Sequence, residues 1–156
     1  MKKNFIILFF LALIPIKASA LIEVDITRGN LNPLPLAVSP LSIDDKSKKS
    51  FEKILKKENI GSEISTIVEN NLRISGLFNP LNKDAFLQAP DIANLKPRFE
   101  DCNLIKAQAL ITGKVTYAGE KLRVEFRLWD ILAAKEMMAL AFTTVQSNWR
   151  RVGHII

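Results

Sequence analysis

An α+β fold, a small mixed β-sheet packed against two or so helices in a single domain, is what three features of this 156-residue chain predict. Lys121–Asp130 alternates apolar and charged residues with the period of two that a half-buried strand requires. Ile64, Ile67, Val68 and Leu72 recur at helical spacing between a serine and a glycine. Strands and helices mix along the chain, and hairpins occur instead of a strict βα alternation. No internal repeat of solenoid or propeller period is visible.

The chain opens on a charged and then apolar segment. Lys2 and Lys3 precede the run Phe5–Ile14, which Pro15 interrupts and Lys17 closes, and Ala18-Ser19-Ala20 supplies a small-x-small cleavage pattern. The run is short of the roughly 20 apolar residues a membrane span needs. Residues 1–20 are therefore expected to be a secretory signal peptide, cleaved after Ala20, with no integral span in what remains. No cysteine follows Ala20, so a lipid anchor made at that site has no support. Removing Lys2, Lys3 and Lys17 takes the net charge from +6 to about +3. That mild balance in an exported protein gives no reason to expect nucleic acid as a partner. The remaining domain, 21–156, is long enough to bury a core without cross-links. Its one cysteine, Cys102, allows no internal disulfide, and its bland reading is a small buried hydrophobe. A bacterial periplasm suits such a cysteine-poor exported domain.

The elements follow in the order β-β-(α)-α-β-α-β-β-β-α. Leu21-Ile22-Glu23-Val24-Asp25-Ile26 sets Ile22, Val24 and Ile26 on one face of a strand and the two acids on the other. Gly29–Pro33 reads as a loop. Leu34–Val38, hemmed by Pro33, Pro35 and Pro40, reads as a strand placed at an edge or paired through its ends, because proline cannot donate to a ladder. Asp44–Glu58 carries six lysines, with Phe51, Ile54 and Leu55 at amphipathic helical spacing. It is either a solvated helix face or a basic patch for an anionic surface, and the second reading predicts vesicle binding that collapses with salt.

Gly61-Ser62 opens the clearest helix, with Ser62 as its expected cap, Glu63 at its positive end, Glu69 and Arg73 as an i, i+4 pair, and Gly76 as its terminator. Leu77–Leu81 is extended, stiffened by Pro80. Ala89–Pro97 is expected to be a loop and Arg98–Ala107 a second helix, with Phe99, Cys102 and Ile105 on one side. Leu110–Tyr117 and Lys121–Asp130 form a hairpin through Ala118-Gly119-Glu120, with Leu122, Val124, Phe126 and Leu128 inward. Met137–Val145, almost continuously apolar, has the composition of a central strand covered on both faces. Asn148–Ile156 begins a helix, with Trp149, Val152 and Ile156 on a shared face.

Chemistry is sparse. His154 is the only imidazole, and no second ligand set accompanies it, so neither a zinc site nor a catalytic triad is expected. There is no nucleophile elbow and no glycine-rich phosphate cradle. The carboxylate pairs Asp44-Asp45 and Glu100-Asp101 stand at expected helix starts, where acids complement the dipole. A small exported hydrolase with an unrecognised carboxylate site would have to use them. What is left is binding. A short alternating strand just after the cleavage site offers either an edge strand of its own domain or free backbone groups for a partner sheet, and the residues favour neither.

The order of several short motifs narrows this. "PLAVSPL", "RISGLFNPLNKDAF", "ALITGKV", a hairpin ending "FRLWD" and a closing "SNWRRVGH" follow the alternating segment, and Ser75–Leu81 and Trp149–His154 are the most specific of them. Together, over the whole mature chain, they resemble the N-terminal domain of the TolB family, periplasmic components of the Tol–Pal envelope-integrity and cell-division system. The resemblance implies a mixed sheet packed on helices, no enzymatic activity and no cofactor. It also implies a TolA-binding segment at the mature N-terminus, which here is Leu21, Ile22, Glu23, Val24, Asp25 and Ile26, switching between docked and free states. Proteins of the family continue into a β-propeller that carries the site for the lipoprotein Pal. No propeller is encoded before Ile156, so the chain is expected to be a truncated product, functional or not, and Pal binding is not carried over.

Overall fold

The computed structural model describes residues 32–56 and 59–156. Within them a six-stranded mixed sheet is built from β1 (Leu34–Val38), β2 (Ser42–Ile43), β3 (Phe78–Pro80), β4 (Ala109–Ala118), β5 (Lys121–Asp130) and β6 (Lys135–Val145). The strand order is β3-β1-β4-β5-β6, and β2 pairs with β4 beyond the end of β1. β1 runs parallel to β3 and β4, and β4, β5 and β6 form an antiparallel meander. Five helices accompany the sheet: α1 (Asp45–Leu55), α2 (Ile60–Ile74), α3 (Pro90–Leu95), α4 (Phe99–Leu104) and α5 (Trp149–Ile155). The α+β expectation is met.

β1 is interior, not an edge. Leu34 donates to the Leu77 carbonyl at 2.9 Å and Leu36 accepts from Leu81 at 2.9 Å on the β3 side. On the other side Pro35 accepts from Gln108 at 2.9 Å, ahead of the first β1–β4 pair, Leu36↔Ala109. Pro35 is in register with Asn79 of β3 but turns its own backbone groups toward β4, ahead of the first β1–β4 pair, so its missing N–H breaks no ladder bond. Pro40 ends β1, the chain steps out of the sheet, and β2 rejoins β4 at Ser42↔Lys114.

Leu36, Val38, Ile111, Leu122, Val124 and Phe126 bury one face of the sheet against Phe51 of α1, Ile60, Ile64 and Val68 of α2, and Trp149 and Val152 of α5. Ala37, Leu110 and Trp129, pointing the opposite way, meet Cys102, Ala107 and Ile131 in a second cluster with Phe99 of α4 packed against it. Helices therefore cover both faces.

The long helix starts earlier than its serine suggests. Asn59 is the N-cap of α2 and accepts from the Ser62 N–H at 3.3 Å, leaving Ser62 inside the first turn. Gly61 then lies against the backbone of Leu41, and a Cβ there would overlap the Leu41 carbonyl. Glu69 and Arg73 pair at 2.9 Å, and Gly76 follows the helix at φ +72°. Ala89–Pro97 is not simply a loop. Pro90 occupies the first helical position of α3, where its missing N–H is harmless. The β4–β5 turn has two residues, since Ala118 and Lys121 already pair.

β6 departs furthest from expectation. It is one of the two edge strands among the described residues, and most of its residues are exposed, with Met137 at 60 % and Met138 at 47 %. A run of Ala, Met and Thr carries apolar composition without enough bulk or enough neighbours to bury both faces.

Candidate functional site

The segment expected to contact a partner, Leu21–Ile26, lies outside the described residues, as does the expected leader 1–20. The first described strand, β1, begins at Leu34, eight residues after Ile26 in the sequence.

Of the carboxylates that a hydrolase would need, Asp44 is engaged in capping and Asp101 in pairing. Asp44 caps α1: its Oδ1 accepts from the Ser47 N–H at 2.9 Å, and its Oδ2 accepts from the Ser47 hydroxyl at 2.9 Å. The backbone hydrogen bond from Ser47 does most to hold the Asp44 carboxyl below its ordinary value, with the Ser47 hydroxyl and Lys114 adding to it against a cost of burial. A general acid needs a shift the other way. Ser47 Oγ in turn accepts from the Tyr117 N–H at 2.8 Å, which fastens α1 to the end of β4. Glu100 and Asp101 occupy the first turn of α4, and Asp101 pairs with Arg98 at 2.8 Å. The apolar groove described below is lined by none of these four acids.

Cys102 is fully buried. Burial, then the nearby charge of Asp101, pushes its thiol up, so it is a packing residue with little thiolate character. Gln88, also buried, clamps the loop above it: its amide donates to the Arg98 carbonyl at 2.7 Å and its oxygen accepts from the Arg98 N–H at 2.7 Å. His154 sits on α5 with Nδ1 3.3 Å from the Asn71 amide, which also donates to the Gly153 carbonyl at 2.9 Å. The histidine is part of the α2–α5 contact. Among the described residues no three His, Cys, Asp or Glu side chains come together as a metal site.

Two surfaces stand out instead. An apolar groove of about 250 Å³ runs between the β5–β6 face and the end of α5, lined by Phe126, Leu128, Met138, Leu140, Ile155 and Ile156 among others. Beside it lies the outer edge of β6, which no other described strand pairs. Elsewhere α1 presents Lys46, Lys48, Lys49, Lys53 and Lys56 to solvent. The lysines were legible in the sequence. The exposed edge was not, because composition does not reveal how many neighbours a strand has.

Comparison with known proteins decides the family. The model of the TolB amino-terminal domain matches residues 22–137. The chain belongs to that family. Over 144 residues it is 83 % identical to the Tol-Pal system protein TolB of Pelagibacter ubique, an alignment that takes in 92 % of this chain and 32 % of the relative. The chain thus spans about a third of that relative's length. Among solved structures, TolB from Acinetobacter baumannii superposes with a TM-score of 0.59 at 18 % identity, covering 79 % of this chain and 26 % of that one. The C-terminal domain of LpoB from Escherichia coli superposes at 0.54 with 10 % identity, covering 76 % of this chain and 87 % of the other. At such identities the likeness is one of fold. The family names point to a component of the Tol-Pal system, not to an enzyme. Among the described residues no helix is long and apolar enough to cross a membrane.

Proposed function

We propose that this chain is a periplasmic protein-binding adaptor of the Tol–Pal system that contacts TolA through Leu21–Ile26. The observation that carries the reading is the family match from residue 22 onward, which takes in the alternating segment Ile22-Glu23-Val24-Asp25-Ile26. Residues 1–20 act as the export signal and are removed after Ala20, which puts this segment at the mature N-terminus. Ile22, Val24 and Ile26 then fill alternate pockets of the partner while the backbone adds a strand to the partner's sheet. The cost of ordering the segment keeps the affinity modest. The engagement of Asp44 and Asp101 in a cap and an ion pair gives a hydrolase reading no support.

Titration of isotope-labelled protein 21–156 with the C-terminal domain of the matching TolA tests this. Resonance shifts confined to Leu21–Gly29 are expected. Deleting Leu21–Ile26 should abolish those shifts and leave the rest of the spectrum in place. A deletion that unfolds the domain would make the segment structural, and no shifts at high partner concentration would remove TolA as the partner.

A further inference from the structure

We infer that the outer face of α1 is a docking surface for anionic phospholipid headgroups. Lys46, Lys49 and Lys53 follow i, i+3, i+7 spacing, so at about 100° per residue they lie within roughly 60° of one another. Phe51, the residue that α1 buries in the core, points the opposite way. The stripe therefore faces straight out from the domain. Lys56, which ends the helix in a left-handed conformation, is exposed as well. Among the described residues no carboxylate forms an ion pair with any of these lysines. Residues 45–56 hold five lysines against Asp45 and Glu52, a net +3, and both acids border the stripe on its Lys49 side, leaving the Lys46 and Lys53 side to the lysines.

The residue choice favours a lipid surface over an acidic protein. Residues 45–56 contain no arginine, although arginine occurs at six places elsewhere in the described residues. Arginine reads a carboxylate through a fixed two-pronged fork, and protein interfaces are enriched in it and depleted of lysine. Lysine is a flexible point charge that suits many diffuse phosphates. The surface is also the convex outer face of a helix. Ile54, 48 % exposed, lies on the flank of the stripe as an apolar contact at headgroup depth. The helix is held rigidly for this by its Asp44 cap and by the Ser47–Tyr117 bond to β4.

Sedimentation of the exported chain with vesicles tests the surface. At low salt it should bind vesicles holding about 30 % phosphatidylglycerol and not pure phosphatidylcholine, and binding should collapse above about 0.3 M salt. The triple variant Lys46→Gln, Lys49→Gln, Lys53→Gln should lose about a hundredfold in partitioning, near fivefold per lysine. The charge-matched triple Lys96→Gln, Lys106→Gln, Lys135→Gln should bind as the parent does. The arginine triple Lys46→Arg, Lys49→Arg, Lys53→Arg should keep binding, which separates lost charge from lost folding. Equal loss in both glutamine triples would reduce the effect to net charge and overturn the proposal. So would no binding by the parent, or an arginine triple that fails. Binding to soluble polyglutamate as tight as to the vesicles would assign the surface to acidic proteins instead.

Discussion

Two serines show how single hydroxyls hold this fold together. Ser65 is fully buried on α2. It accepts from the Leu41 N–H at 3.0 Å, and its hydroxyl lies within reach of the Ser39 carbonyl at 3.0 Å and the Gly61 carbonyl at 2.9 Å. The Ser39 carbonyl and the Leu41 N–H flank Pro40, where the chain steps out of the sheet, and the Leu41 N–H otherwise has only the Gly61 carbonyl at 3.5 Å. Ser65→Ala should cost about 1–3 kcal/mol, because a buried donor loses its partner. In urea unfolding the midpoint should fall with the slope unchanged. An effect below a few tenths of a kcal/mol would mean that Leu41 finds another acceptor. Ser47 does the same for α1, with Asp44 behind it. The folded Asp44 carboxyl titrates below its ordinary value of 3.8. Its contribution is therefore fully present above that value and lost as pH falls through the lower folded one. Asp44→Ala should cost about 1 kcal/mol at neutral pH, as a lost N-cap does, and the gap to the parent should close below pH 3.8. A gap that stays constant into the acid range would show that the cap acts without its charge. Neither serine was singled out from the sequence, although each stands on an otherwise apolar helix face, one turn from Phe51 or Val68. That pattern is the signal for a buried hydroxyl with a backbone to serve.

At the scale of elements, local periodicity located what it governs and failed where neighbours decide. Lys121–Asp130 was legible because charged and apolar residues alternate and one face is buried, with Leu122 and Val124 wholly enclosed. Asp45–Leu55 was legible from its spacing, though Ile54 is half exposed. Pro90–Leu95 is a helix inside the expected loop Ala89–Pro97, and six residues are too few to show a helical period, although Pro90 stands where a first helical residue can. The prolines of Leu34–Val38 suggest a strand at an edge or one paired through its ends, and the apolarity of Met137–Val145 suggests a central strand. The structure exchanges the two. Strand order depends on which faces the helices cover, and that is a property of pairings distant in sequence. The partner segment 21–26 was read from alternation and resemblance, and it lies outside the described residues. The exchange of β1 and β6 has a direct test. Met137→Lys, on the outer strand, should change stability by less than about 0.5 kcal/mol, whereas Leu122→Ala on the neighbouring strand should cost about 2–5 kcal/mol. Denaturant unfolding of the two variants checks this. A loss of several kcal/mol from the lysine would restore the central placement, since it would mean a buried charge.

For the whole molecule the question is whether the two apolar clusters, one on each face of the sheet, are one cooperative unit. They share strands: β1 sends Leu36 and Val38 to one cluster and Ala37 to the other, and β4 sends Ile111 one way and Leu110 the other. Opening either face therefore strips support from the backbone of both. Cys102 makes the coupling measurable. It is fully buried in the second cluster, its thiol is pushed up by burial and by Asp101, and it is the only cysteine in the chain. Its reaction with a thiol reagent therefore reports opening of that face. Ile64, fully buried in the first cluster, lies on the other side of the sheet. Ile64→Ala should destabilise by about 2–5 kcal/mol. If the domain opens as one unit, Cys102 labelling should accelerate by the matching factor, from about thirtyfold upward, although the mutation touches no atom of its cluster. The same factor should appear in the equilibrium unfolding constant of the variant. Labelling that stays at the parent rate while the equilibrium unfolding constant rises would show that α3 and α4 open independently of the long helix. The second face would then be a separately mobile layer on a sheet held by α1, α2 and α5.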